Sequence, residues 1–260
     1  MTLYIHEMRR GRVGLIIWTA VIAFMLGVTV FIYPQMASQM DEVSKTFADM
    51  GAFSSAFGMD RLNFGELGDY FCVECGNTLG LGGAMFAALL GTAALAKEER
   101  EHTAEFLFTH PISRVGAMLS KLAALASKIV LLNAGVAAVS ALSIVAIGET
   151  VNVRTVALVL TANLILQLEI AAISFCVSAF VSRGTGAIGI GIAFAFYFVN
   201  IISNISEDLK FLKYITPYAY SDGAEIKTAG ALDAKYLAVG GAIAAVCVAA
   251  AFVRYRRKDL

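Results

Sequence analysis

Six blocks of apolar residues dominate this sequence, and each is about as long as a helix must be to cross a bilayer. A hydrocarbon core of about 30 Å needs roughly 20 apolar residues in helical conformation. The blocks cover residues 14–33, 78–96, 122–147, 156–181, 185–205 and 236–253. Backbone polar groups in lipid must bond within their own segment, and the alternating pattern of barrel strands is missing. Each block therefore predicts a transmembrane helix.

The composition favours the same fold class. Hydrophobic residues make up 58% of the 260 residues and charged residues only 15%, against about a quarter in ordinary soluble domains. Twenty basic and twenty acidic residues balance, which argues against a nucleic-acid partner. We predict an all-α polytopic membrane protein with a single transmembrane domain over residues 1–260 and no nucleotide-binding domain.

The distribution of charge predicts that both termini are cytoplasmic. In that orientation the inside loops hold twelve basic and six acidic residues, whereas the outside loops hold seven and thirteen. An excess of Lys and Arg marks cytoplasmic loops. Arg9, Arg10 and Arg12 precede the first block, as in a signal peptide. That block is too long for a signal core and lacks a clear small-residue cleavage site, so we expect it to remain as a span.

The loop between the second and third blocks, residues 97–114, has the most informative pattern. At helical spacing, one face gathers polar residues and the other apolar ones, which predicts a short amphipathic helix ended by Pro111. The polar face holds Glu98, Glu101, His102 and Glu105, and the apolar face holds Ala104, Leu107, Phe108 and Pro111. The acidic face fits either a basic protein surface or, more simply, water. The sequence lacks a Gly-x4-Gly-Lys-Ser/Thr phosphate loop. If the protein uses ATP, another chain must therefore bind it.

This loop resembles the signature loop of ABC-2 type transporter permeases. In that family, an acidic stretch after the second span leads to a hydrophobic triplet and Pro-Ile-Ser-Arg. The matching positions are Glu98, Glu99, Thr103, Glu105, Pro111, Ile112, Ser113, Arg114 and Lys121. A Phe106-Leu107-Phe108 triplet replaces a more usual Leu-rich one. Residues 212–220 are similar to the family's Thr/Ser-Pro-aromatic element, and residues 3–12 fit its amphipathic elbow helix.

The resemblance implies an exporter subunit of the bacterial cytoplasmic membrane that couples ATP hydrolysis in separate ABC ATPase subunits to alternating access. ATP and Mg²⁺ would be held by the partner ATPase, and this chain would have no catalytic residue, cofactor or metal. A second permease copy, identical or paralogous, would complete the assembly in membrane lipid. The residues assigned to ATPase coupling are Glu98, Glu99, Arg100, Glu101, Thr103, Glu105, Phe106, Leu107, Pro111, Ile112, Ser113 and Arg114.

The predicted cargo is an amphipathic or hydrophobic molecule, such as a peptide, a drug or a lipid-like compound. The expected lining of Gly, Ala, Phe and Met with few charges favours such a cargo over a highly charged polymer. Antimicrobial or drug resistance is the corresponding physiological role.

Two ionisable residues within the blocks are candidate functional residues, Glu169 in the fourth and Lys128 in the third. A carboxylate inside the bilayer is costly and marks an interior partner or a pathway. Glu169 could form a buried pair with Lys128 or another hydrogen bond, remain protonated, or take part in transport. An ion-coupled secondary transporter that uses Glu169 is therefore an alternative function. An intramembrane hydrolase built on Glu98, Glu99, His102 and His110 is a weaker one.

Two further patterns leave alternatives open. Cys72 and Cys75 form a Cys-x-x-Cys motif in the predicted outer loop 35–77, where a disulfide and free thiols are both plausible; two thiols alone cannot complete a zinc site. In the fifth block, Ala187, Gly191 and Ala195 form a stripe of small residues that permits close helix contact. The stripe would pack within the protomer or, as the resemblance implies, near a dimer axis.

Overall fold

The computed structural model describes residues 2–49, 51, 54, 56, 62–97, 113–181, 183 and 185–257, and these are helical or in short connections, with no strand among them. The α-helices are Thr2–Arg10, Arg12–Asp49, Leu67–Cys75, Gly82–Ala93, Arg114–Ile147, Val153–Ser178, Thr185–Ile205, Gly223–Ala229 and Ala234–Arg256. A π-helical stretch, Gly76–Leu81, joins the third of these to the fourth. Two 3₁₀ helices, Glu207–Tyr214 and Ala219–Ser221, follow Ile205.

Six helical segments in the described part of the chain are long and apolar enough to cross a membrane, which confirms the predicted fold class. We call them spans one to six. In chain order they are Arg12–Ala37, Leu67–Ala93, Arg114–Ile147, Val153–Ser178, Thr185–Ile205 and Ala234–Arg256.

Several bounds differ from the predicted ones, and span three, for example, begins at Arg114 rather than at residue 122. Two of the differences have identifiable reasons. The helix of span one continues through Pro34 to Asp49, because a proline removes one backbone hydrogen bond without necessarily ending a membrane helix. Span two begins at Leu67 rather than at residue 78. The charges of Asp69 and Glu74 lower the hydropathy of its first turns and conceal them from a search for apolar blocks.

Span four lies at the centre of the bundle and packs against spans two, three, five and six. Its contact with span two is close because a glycine stands at the crossing. A Cβ atom at Gly91 would lie 2.8 Å from the carbonyl oxygen of Ala171. Half of the most apolar window is buried in spans two and four, against 17% in span five and 11% in span six. Spans five and six therefore have few fully buried residues.

The bundle has two chemically different ends. The proximal end holds the N-terminal helix Thr2–Arg10, Arg114 and Arg256, and the guanidinium of Arg114 donates to the carbonyl oxygen of Arg256 at 3.4 Å. The distal end holds the turn 148–152 and the segment 206–233. That turn is tight because Gly148 ends span three at φ 73° and Asn152 caps the first turn of span four.

Candidate functional site

Span four carries polar side chains at the centre of the bundle. Asn163 and Gln167 are fully buried, and Glu169 is 5% exposed. Asn163 and Gln167 lie one helical turn apart and face span two, whereas Glu169 faces span six and the distal segment. A buried polar group in a membrane protein is costly without a partner and commonly marks a functional position. We call this group, with the side chains bonded to it, the polar core.

Gln167 joins three spans by hydrogen bonds. Its Oε1 atom accepts from Asn133 Nδ2 of span three at 2.7 Å, and its Nε2 atom donates to the carbonyl oxygen of Leu79 at 3.2 Å. Leu79 lies in the π-helical stretch, where the regular backbone ladder is altered. Gly83 provides the space, since a Cβ atom there would lie 2.1 Å from Gln167 Nε2. The irregular turn of span two and Gln167 thus stabilise each other.

Asn163 contacts the same irregular turn from one helical turn away. Its Nδ2 atom donates to the carbonyl oxygen of Val159 at 2.8 Å and contacts the Sγ atom of Cys75 at 3.8 Å. Its Oδ1 atom has no hydrogen-bond partner among the described residues. A Cβ atom at Gly80 would lie 2.9 Å from that oxygen. The amide of Asn163 therefore lies directly against the backbone of span two.

The Cys-x-x-Cys motif lies within this helical packing and not in an outer loop. Cys72 and Cys75 belong to the helix Leu67–Cys75, both are buried, and both are free thiols. The assignment of both residues to an outer loop was wrong because span two begins earlier than its hydropathy indicates.

Glu169 is bonded to a tyrosine from the distal segment. The Oη atom of Tyr220 donates to Glu169 Oε2 at 2.7 Å in a buried environment. Gly240 of span six lies against the same carboxylate, since a Cβ atom there would lie 2.3 Å from Oε2. Burial, followed by the charge and hydrogen bond of Glu169, raises the pKa of Tyr220, so this hydroxyl remains a donor. The partner of Glu169 is thus a tyrosine, whereas Lys128 packs against Gly11 at the proximal end.

The segment that carries Tyr220 reaches deep into the bundle. Glu169 lies sixteen residues after Val153 in span four, which is roughly 24 Å of helical rise from the distal end. Thr216 anchors the segment, because its Oγ1 atom donates to the carbonyl oxygen of Phe196 in span five at 2.9 Å. The Nζ atom of Lys213 binds Glu225 Oε1 within the segment. The Thr-Pro-aromatic stretch of the sequence is therefore a buried structural element.

A cavity of about 60 Å³ lies between span two, span five and the distal segment. The side chains that contribute polar groups to its lining include those of Asn77, Tyr197, Asn200, Tyr218, Ser221 and Asp222. Tyr197 Oη donates to Asn77 Oδ1 at 3.3 Å, and the rings of Tyr197 and Tyr218 meet edge to face at 5.5 Å. Two atoms have no hydrogen-bond partner within the described ranges, Asn200 Oδ1 and Tyr218 Oη. The cavity can therefore accept a water molecule or a neutral polar group of a ligand.

Tyr218 contributes a hydrogen-bond donor to this cavity. Its side chain is almost fully buried, at 4% exposure. Burial, and secondarily Tyr197, raises the pKa of Tyr218, so its hydroxyl stays protonated at physiological pH. A protonated phenol can donate one hydrogen bond and accept others. The cavity thus presents donors and acceptors together.

A second, wider cavity of about 570 Å³ opens at the distal surface. Lys227 binds the carboxylates of Asp69 and Glu66 at its edge. Burial alone would lower the pKa of Lys227, but Asp69 and Glu66 together raise it. The distal segment is therefore also tied to span two by charge.

Most of the predicted ATPase-coupling segment lies outside the described residues. This holds for Glu98, Glu99, Arg100, Glu101, Thr103, Glu105, Phe106, Leu107, Pro111 and Ile112. The last two positions are described. Ser113 caps span three, with its Oγ atom accepting from the backbone N–H of Gly116 at 3.1 Å, and Arg114 begins the helix. In the described part of the chain, no group of His, Cys, Asp or Glu residues could hold a metal ion.

Sequence reasoning missed most of the polar core. It selected Glu169 because a carboxylate in an apolar block is conspicuous, but it gave no role to Asn133, Asn163 or Gln167. Asn163 and Gln167 are spaced at i and i+4, so they lie on the same face of a helix, and Gln167 comes two residues before Glu169. This spacing is a signal from which Asn163 and Gln167 could have been predicted. The cavity and Tyr220 had no local signal, because their residues come from distant segments.

An all-helical bundle of six spans with a buried polar core defines the chain as a multi-pass integral membrane protein. The family model for the ABC-2 family transporter protein matches residues 1–260, so the chain belongs to that family. Members of the family are membrane subunits of transporters and normally work with ABC ATPase partners. The comparison with curated proteins found no match.

Proposed function

We propose that this chain is the permease subunit of an ABC exporter, in which a separate ATPase drives export of an amphipathic or hydrophobic cargo by alternating access. The observation that carries the proposal is the family match over the entire chain. The charge bias of the sequence supports cytoplasmic termini and hence a proximal end that faces the ATPase. A bacterial cytoplasmic membrane is the proposed location.

The start of span three supports a mechanical role for the segment 98–112. Span three begins at Arg114, immediately after the cap of Ser113, so few residues separate the segment from a rigid helix. Arg114 also bonds to the end of span six through the carbonyl oxygen of Arg256. A displacement of the segment by a closing ATPase would therefore reach two spans directly. Such rigid-body coupling is a common way to convert a local event into a large rearrangement.

The cavity beside Tyr218 supports a cargo with both apolar and polar parts. It offers hydroxyl and amide groups together with the Asp222 carboxylate, whereas the spans around it are apolar. A peptide or drug with amide or hydroxyl groups would match both properties. The hydrogen bond between Tyr220 and Glu169 fits a structural latch as well as an ion site, so no observation favours the ion-coupled alternative.

Span five supports association with a second permease copy. Ala187, Gly191 and Ala195 are exposed on the single chain, while the neighbouring face with Gly189 and Ala193 packs inward. The packing of the stripe within the protomer, which the sequence allowed, is therefore not what the structure contains. A stripe of small residues facing lipid permits a second helix to approach closely.

The coupling role can be tested by charge reversal in the acidic segment. The chain is expressed with the candidate ABC ATPase, and copurification and permease-dependent ATP turnover are measured for the wild type and for Glu99→Lys with Glu105→Lys. The control is Glu149→Lys, which changes an exposed acid at the distal end. We expect the double variant to lose copurification and to reduce ATP turnover to that of the ATPase alone.

The control should leave both measurements unchanged. An intact complex with normal turnover in the double variant would remove the coupling role of this segment. A candidate ATPase that fails to bind the wild-type chain, while every other ABC ATPase of the same cell also fails, would remove the proposed function itself.

A further inference from the structure

A small cavity at the proximal end gathers four positive charges. It has a volume of about 90 Å³ and lies between the N-terminal helix, the end of span two and the first half of span three. The charged residues that line it, among those the structure describes, are Glu7, Arg10, Lys97, Lys121 and Lys128. Four cations thus share the cavity with one carboxylate.

Two of these cations are built into the fold. Lys121 and Lys128 are 4% and 6% exposed. Lys121 Nζ donates to the carbonyl oxygen of Ala94 at 2.7 Å and lies 3.8 Å from Glu7 Oε1, so span two and the N-terminal helix fix its position. Lys128 lies against the backbone at the junction of the N-terminal helix with span one. A Cβ atom at Gly11 would lie 2.3 Å from its Nζ atom.

The position of the cavity at the edge of the apolar surface determines which anions can reach it. The lipid-facing surface begins beside it, since Ile16 and Ile17 of span one and Leu119 of span three are all more than half exposed. The N-terminal helix, whose last turn carries Arg9 and Arg10, covers the cavity from the polar side. Long basic side chains at such a boundary extend toward the headgroup region. The anions of that layer are lipid phosphates.

We propose that this cavity binds a phosphate group, namely that of an anionic phospholipid headgroup. Compact ammonium groups held on preformed walls bind phosphate as point charges, and the guanidinium of Arg10 adds a planar donor group. Burying the two ammonium groups of Lys121 and Lys128 together is costly in a medium of low dielectric constant, and a bound anion offsets that cost. The bound lipid would clamp the N-terminal helix to spans two and three. The proposal is independent of the cargo and of the ATPase.

The test uses the full chain and a pair of variants that act in different ways. Lys128→Gln removes one charge, and its control, Lys235→Gln, removes an exposed charge at the distal end. Gly11→Ala keeps every charge but displaces the Lys128 ammonium. Its control is Gly14→Ala, because a Cβ atom at Gly14 has no neighbour within 4 Å. A variant that failed to fold by loss of charge would leave the glycine pair as the decisive comparison.

Lipid retention is measured by native mass spectrometry after reconstitution in nanodiscs of phosphatidylglycerol or of phosphatidylcholine, and inorganic phosphate is titrated onto the protein in neutral detergent. We expect retained phosphatidylglycerol in the wild type and a decrease of about fivefold in Lys128→Gln and Gly11→Ala, with both controls unchanged. Saturable binding of inorganic phosphate with the same dependence on variants, and no preference for phosphatidylglycerol, would assign the site to free phosphate.

Equal retention of the two lipids together with no phosphate binding would overturn the proposal. The same conclusion follows if Lys128→Gln and Gly11→Ala bind as the wild type does. The four cations would then serve only contacts within the chain.

Discussion

At the scale of single residues, the bond between Glu169 and Tyr220 leads to a clear prediction. Tyr220→Phe leaves a buried carboxylate oxygen without its donor, so we expect a loss of about 1–3 kcal/mol in stability. Glu169→Gln retains an oxygen that can accept the same hydrogen bond, and its loss should be smaller. The measurement is the melting temperature of the purified protein in nanodiscs.

Tyr214→Phe is the matched control, because that tyrosine belongs to the same distal segment and is 47% exposed. It should melt as the wild type does. Equal melting temperatures for Tyr220→Phe and the wild type would mean that the bond does not stabilise the distal segment. In transport assays, a larger defect for Glu169→Gln than its melting temperature explains would indicate a role beyond stability.

Single residues also show how far sequence reasoning reaches. A carboxylate within an apolar block identifies itself, so Glu169 was predictable. Its partner was not, because Tyr220 lies 51 residues later in a stretch that hydropathy places outside the membrane. Lys128 was also conspicuous as a charge in an apolar block, but its contact with Gly11 depends on how the N-terminal helix folds back, which has no local pattern.

At the scale of the elements, the exposed stripe of span five predicts where a second copy packs. Gly191→Ile puts a branched side chain on the stripe, and we expect it to weaken dimerisation by about 1–3 kcal/mol through overpacking. The readout is the dimer fraction in nanodiscs by single-molecule photobleaching. Gly241→Ile on span six is the control, because a Cβ atom added at Gly241 or at Gly191 would have no neighbour within 4 Å.

A dimer fraction in Gly191→Ile equal to that of the control would move the interface away from this stripe. Loss of the dimer in both variants would point to an interface that includes span six. Either result leaves the fold of the single chain as described, since neither glycine packs against another element.

Hydropathy predicted the number of spans but not all of their ends. A hydropathy search detects a block when nearly all of its residues are apolar. The first turns of span two contain Asp69 and Glu74 as well as Leu67 and Phe71, so they were not detected. The two acids are tolerated near the distal surface, where Lys227 binds Asp69. The helix of span one also continues beyond the predicted end at residue 33, because Pro34 lies inside the helix and does not end it.

At the scale of the whole molecule, the charge bias predicts which end faces the cytoplasm. We expect a membrane-impermeant maleimide to label Thr150→Cys in intact cells and to label Arg257→Cys only after permeabilisation. Both positions are exposed. The background should be low, because Cys72 and Cys75 are buried and Cys176 and Cys247 lie half-buried within spans. Labelling of Arg257→Cys in intact cells would reverse the orientation.

The π-helical stretch Gly76–Leu81 has a consequence for how the bundle can move. Each residue of a regular α-helix turns the chain by about 100°, which fixes the directions in which side chains point all along the helix. A wider π-helical turn changes this relation between the helical portions before and after it. One portion of span two contacts the distal segment and the other crosses span four. The two portions can therefore rotate about the helix axis independently. Gln167 donates a hydrogen bond to the carbonyl oxygen of Leu79. A small change in helical twist at Leu79 would rotate one portion of span two while the other keeps its position.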